Sequence, residues 1–147
     1  MQTFLPHATF DESVRKIDPS RLGNQVWREG MTLIRGGWHN HPASKMWAGY
    51  EQGLALYLLH GVKEFERRGK SYWGRPWCIE LARMIDRPIE EIVLPPWMGD
   101  ERIHSSHRSC LLAKDYKYYS RFGWTEKPTP PDPATGKWPY YWPVDMR

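Results

Sequence analysis

The sequence predicts an all-α fold, a single compact helical domain with an irregular tail rich in proline and aromatic residues. Three observations carry this. Trp47, Tyr50, Leu54, Tyr57, Leu58, Val62 and Phe65 recur at helical spacing over about five turns. Asp18-Pro19-Ser20 is a strong helix start, with Asp18 suited to the N-cap and Pro19 to the first helical position. No alternating strand pair with a turn signal and no internal repeat is visible. A length of 147 residues fits one domain, read as an N-terminal arm (1–17), a helical core (18–122) and an extended C-terminal wrap (123–147).

The elements follow in order. Met1 to Pro6 reads as a short extended arm, and Asp11 to Ile17 as a brief helical turn. The first long helix spans Pro19 to Ile34 and stops at Gly36-Gly37. Leu22, Val26, Leu33 and Ile34 form its buried side, and Arg21, Gln25, Arg28 and Arg35 a polar stripe. Trp38 to Pro42 is a loop into a second helix of roughly 27 residues, about 40 Å long. That helix ends at Gly69 after the basic pair Arg67-Arg68. Gly49 and Gly53, four apart in it, suit a close helix crossing. Trp77 to Ile85 is a third helix, Ile89 to Leu94 a short helix or turn, and Asp100 to Phe122 the last helix. Beyond Gly123 six prolines between positions 128 and 143 remove donors and fix φ. The tail also holds Trp124, Trp138, Tyr140, Tyr141 and Trp142, too aromatic a set for a free linker, so it is expected to pack back across the helices.

Composition narrows the function classes. Twenty-one Lys and Arg against 17 Asp and Glu give a net charge of +4. This weakly basic balance permits nucleic acid as a partner. A mean hydropathy of −0.72 and the absence of a long apolar run argue against a membrane span. No secretion signal is visible, and Cys78 and Cys110 form no disulfide framework. The expectation is a cytoplasmic, monomeric protein. P-loop, nucleophile-elbow, zincin and dinucleotide-binding patterns are all missing.

Three clusters could carry chemistry: the arm with the first helix (Met1, Gln2, Thr3, Arg21, Asn24, Gln25, Arg28, Glu29); His39-Asn40-His41 with Lys45; and His104, His107, Arg108, Lys114, Lys117 and Arg121. Basic stripes beside aromatics fit phosphate contacts and base stacking. Each has a plainer reading: charged helix faces are commonly only solvated, and loop histidines commonly cap helices. A metal site built from His39, His41, His104 and His107 has weak spacing support.

Several segments together resemble the pyrimidine-dimer DNA glycosylase family. They are Met-Gln-Thr-Phe-Leu-Pro at 1–6, Arg21-Leu22-Gly23-Asn24-Gln25, Gly37-Trp38-His39-Asn40-His41-Pro42-Ala43-Ser44-Lys45-Met46-Trp47, and His104-Ser105-Ser106-His107-Arg108 running on to Lys114-Asp115. Phe122-Gly123-Trp124 and Pro139-Tyr140-x-Trp142-Pro143 are similar as well. The resemblance is to the uncharacterised phage and bacterial branch and covers nearly the whole chain.

The resemblance implies a helical DNA glycosylase with abasic-site lyase activity that needs no metal or cofactor. In such an enzyme the N-terminal amine attacks C1′ of the damaged nucleotide, the base leaves, an imine forms and β-elimination cuts the strand. Carried over residue by residue, Met1 supplies the amine and Glu29 the carboxylate. Gln2, Thr3, Arg21, Asn24, Gln25, Arg28, His41, Lys45, His104, His107, Arg108 and Lys114 would hold a kinked duplex with a flipped nucleotide. Alternatives on the same scaffold are a duplex-binding protein without chemistry and a histidine-dependent metal nuclease. In two places the chain departs from the family pattern. Gln2 is bulky, which disfavours removal of Met1. The family glutamate stands one position earlier relative to Arg-Leu-Gly, where this chain has Arg28. One residue turns a helix by about 100°, so either the helix is locally adjusted or Glu29 is not the acid.

Overall fold

Residues 2–70 and 75–144 are described by the structure, a computed structural model. Among them it is helical, with no strand. Met1 and the last residues of the predicted wrap, 145–147, lie outside the described residues.

Thr9 caps α1 (Phe10–Lys16), its hydroxyl accepting from the Glu12 N–H. The next helical run begins as predicted. Asp18 caps α2 (Pro19–Asn24) through the Arg21 N–H. The run continues through a π-helical turn (Gln25–Glu29) into α3 (Gly30–Ile34). There the Gly30 N–H bonds the Gln25 carbonyl, an i→i+5 bond that accommodates one extra residue. Gly30 is needed at that point. A Cβ on it would stand 2.5 Å from a Leu58 methyl and 2.7 Å from the Gln25 carbonyl oxygen.

The predicted 27-residue helix is two helices. Gly49 takes a left-handed φ of 83°, which separates α4 (Pro42–Trp47) from α5 (Glu51–Arg67). At 17 residues α5 is still the central rod, packed against α1, α6 (Arg75–Met84) and the π turn. Gly49 makes no helix crossing, and Gly53 faces Leu94 and Pro95. The close crossings of α5 lie at Leu58 against Gly30 and at Gly61 against Val26. Ile89–Glu91 is a 3-10 turn. The last predicted helix is interrupted too. Asp115 leaves helical backbone (φ −153°, ψ 78°) between α7 (Glu101–Lys114) and α8 (Tyr116–Tyr119). His107, Lys114 and Arg121, spaced seven apart, therefore do not share one continuous helix face.

The tail packs back as expected. Trp124 stacks on Tyr119 at 5.5 Å, the Tyr141 N–H donates to Ser106, and Tyr140 meets Phe4 and His107 edge-on.

Candidate active site

The arm is the axis of the site. Gln2 to Pro6 is buried from end to end, and side chains from four helical segments hold it. Gln25, from the π turn, accepts from the Phe4 N–H and donates to the Tyr57 hydroxyl at 2.7 Å. That hydroxyl in turn donates to the Phe4 carbonyl. Trp47 donates its indole N–H to Thr3 at 2.9 Å. On α7, His107 Nδ1 accepts from the Leu5 N–H at 2.9 Å, and His104 Nδ1 donates to the Leu5 carbonyl at 2.7 Å. Arg108 donates to the Pro6 carbonyl at 2.7 Å and pairs with Glu101 and Glu126. In an irregular segment each backbone group needs such a partner once buried.

Several expectations are corrected by this. Gln25, placed on the polar stripe from its spacing, is 1% exposed, its amide held between the Phe4 N–H and the Tyr57 hydroxyl. Thr3, His104 and His107 are also fully buried, and Arg108 is spent on the arm and the tail. Gln25, His104, His107 and Arg108 make their bonds to the backbone of the N-terminal segment. Burial pushes His107 down to about 3, helped by the neighbouring His104 and Arg108. Among the described residues no three His, Cys, Asp or Glu side chains converge on a metal position. His41 is a cap, its Nδ1 accepting from the Ala43 N–H at 3.0 Å. Of the cysteines, Cys110 is buried and its thiol is pushed up to about 11 by that burial; Cys78 is only half-buried.

Where the arm begins, a cavity of about 320 Å³ opens. Its walls include Gln2, Arg21, Asn24, Glu29 and Lys114, with Trp138 and Tyr140 from the tail. Arg21, Asn24 and Glu29 share this wall because the π turn takes up one residue between Asn24 and Glu29. Burial raises the Glu29 carboxyl above the usual carboxylate range, against the pull of the N-terminal ammonium charge, Arg28 and Lys114. Lys114 is half-buried with its ammonium 3.7 Å from the Trp138 ring centre. Its pKa is lowered by burial and by Arg21. Arg21 is steadied by Asp18 at 3.2 Å, and Asp18 accepts from the Tyr119 hydroxyl. Arg28 is exposed, and Lys45 lies half-buried on α4, outside the lining of this cavity. Met1, the expected nucleophile, lies outside the described residues. Sequence reasoning missed Phe4 and Ser20 as cavity walls and did not single out Trp138 and Tyr140 among the tail aromatics. The aromatic load of the tail was the available signal, without the register that would assign it.

The helical frame thus surrounds a cavity whose wall carries two cations, Arg21 and Lys114, and one half-buried carboxylate, Glu29. Residues 1–74, half of the chain, match the family model described as pyrimidine dimer DNA glycosylase, and the chain belongs to that family of DNA repair glycosylases. The matched part carries the arm, the π turn and the 37–47 motif. Lys114 and the tail rings come from the other half. No curated protein and no solved structure matches the chain. Among the described residues no helix is long and apolar enough to cross a membrane.

Proposed function

We propose that the protein is a DNA glycosylase with abasic-site lyase activity that works through its N-terminal amine and Glu29. The observation carrying this reading is the arm, buried from Gln2 to Pro6, with Gln2 on the wall of a cavity that also holds a half-buried carboxylate. An α-amine ordinarily titrates near 8, so a usable fraction is unprotonated at neutral pH. Its lone pair attacks C1′ of an extruded nucleotide. The glycosidic C–N bond breaks, and its electron pair leaves with the base, which takes up a proton. Opening of the sugar ring turns the C1′ adduct into an imine. Loss of a C2′ proton then expels the 3′ phosphate. Glu29 steadies the positive charge that develops on the sugar and moves protons at these steps. Lys114, Arg21 and the exposed Arg28 supply phosphate contacts to a kinked duplex.

Borohydride reduction of the protein with a duplex carrying an abasic site or a pyrimidine dimer tests this. A covalent adduct at the N-terminal residue is expected, reduced at least about 100-fold in Glu29→Gln. Failure to trap any adduct where a control lyase is trapped, with duplex binding intact, would leave a binding protein on this scaffold.

A further inference from the structure

A buried donor needs an acceptor, so one left over at a cavity wall points to a ligand. Among the described residues four buried side-chain nitrogens have no hydrogen-bond partner: Gln2 Nε2, Arg68 Nη1, His107 Nε2 and Trp124 Nε1. Of these residues only Gln2 belongs to the wall of the Glu29 cavity. It is 2% exposed. The Thr3 N–H donates to the Gln2 amide at 2.9 Å, and only the carbonyl oxygen can accept there. The NH₂ group is therefore the end left over. Acceptors of the arm are already engaged: the Thr3 hydroxyl takes the Trp47 indole N–H and the Phe4 carbonyl takes the Tyr57 hydroxyl. Glu29, an acceptor on the same wall, is not bonded to it either.

The rest of the wall narrows the atom this donor serves. Phosphate oxygens have the charged donors Arg21 and Lys114. A neutral amide suits an uncharged oxygen. Gln2 directly follows the residue whose amine attacks C1′, with the two Cα atoms about 3.8 Å apart across the peptide. The uncharged oxygen bonded to C1′ throughout the attack is the ring oxygen of the sugar, O4′.

Resting on the reading above, we propose that Gln2 Nε2 donates a hydrogen bond to O4′ of the extruded nucleotide and stabilises that oxygen as the sugar ring opens. In this step the nitrogen lone pair of the C1′ adduct forms the C=N bond. The C1′–O4′ bond breaks, its electron pair moves onto O4′, and O4′ takes up a proton by way of Glu29. The Gln2 N–H transfers no proton. It meets the negative charge as that charge develops on O4′, which makes Gln2 a catalytic residue of ring opening.

Two unreactive duplexes isolate the ring oxygen. One carries a tetrahydrofuran residue at a single position, the other a cyclopentane residue with CH₂ in place of O4′. Neither has a leaving group at C1′, so binding is read without turnover. The unaltered protein is expected to bind the tetrahydrofuran duplex about tenfold more tightly, as satisfying one buried donor implies. Gln2→Met and Gln2→Glu should both bring that ratio to within about twofold of one. Gln2→Glu keeps an oxygen for the Thr3 N–H, so it decides the matter even if Gln2→Met folds poorly, and its added charge weakens both duplexes alike. Both substitutions keep a bulky side chain, which leaves the processing of Met1 unaltered. Borohydride trapping on an abasic duplex should slow at least about tenfold in both variants. A ratio near one in the unaltered protein, a ratio that persists in Gln2→Glu, or binding of neither duplex overturns the proposal. Unslowed trapping in a variant that has lost the ratio overturns it as well. Ring-oxygen selectivity without any imine trapping by the unaltered protein overturns the preceding reading instead.

Discussion

Deleting Arg28 probes how Glu29 comes to face the cavity. In a regular α-helix the eight steps from Arg21 to Glu29 turn about 800°, which leaves Glu29 about 80° away from Arg21. The i→i+5 bond from Gly30 to Gln25 takes up one residue. The phase becomes that of seven steps, about 700°, within about 20° of Arg21. Without Arg28 the same Gly30 N–H would reach the same carbonyl as an ordinary i→i+4 bond. The exposed arginine would be lost, and every buried contact on either side would stay in phase. The deletion should therefore leave Glu29 in the cavity with its carboxyl still raised above the usual range by burial. The melting temperature should stay within about 4 °C, the equivalent of about 1 kcal/mol in a domain of this size. Carbon-13 titration of the Glu29 carboxyl reads the first quantity and calorimetry the second. A folded deletion variant whose Glu29 titrates like an exposed glutamate would refute the reasoning, because the π turn would then not be what sets its direction.

Other outcomes follow from the same contacts. Gly30→Ala places a methyl against Leu58 and the Gln25 carbonyl and should cost about 1–3 kcal/mol in urea denaturation. Tyr57→Phe removes the hydroxyl shared by Gln25 and the Phe4 carbonyl. It leaves both buried groups without that partner, for a loss of about 1–3 kcal/mol by the same measurement. His107 titrates near 6.5 in the unfolded chain but only at about 3 when buried. Between those values the unfolded state binds the extra proton, so its contribution to stability is full above about 6.5 and falls on acidification by about 1.4 kcal/mol per pH unit. His107→Asn keeps an acceptor for the Leu5 N–H and should flatten that acid slope in denaturation series from pH 7 to 4; an unchanged slope would assign it to other groups.

What was legible in the sequence was whatever depends on local chemistry. The Asp18-Pro19 start, the stop after Ile34, the apolar face of α5 and the return of the tail all follow from caps, periodicity and proline content. Breaks that rest on one backbone angle were not legible. Gly49 and Asp115 interrupt helices whose apolar spacing continues across them. The π turn was anticipated only as a need, from the one-residue offset of Glu29. The burial of Gln25 was missed, since a polar residue in phase with arginines reads as surface until a buried backbone requires its amide. The same holds for His104, His107 and Arg108. Their types suggest anions, while their partners are Leu5 and Pro6, about a hundred residues away in the chain.

That separation bears on the order of assembly. The arm leaves the ribosome long before the side chains near position 107 to which it is bonded. During synthesis Leu5 and its neighbours have no lasting place to go. The helices around α5 can collect first, with their own local contacts, while a groove stays open along the middle. Only when α7 arrives does the arm become enclosed. The cavity beside Glu29 is therefore completed last, and a truncated chain lacking α7 would expose an apolar groove in place of a site.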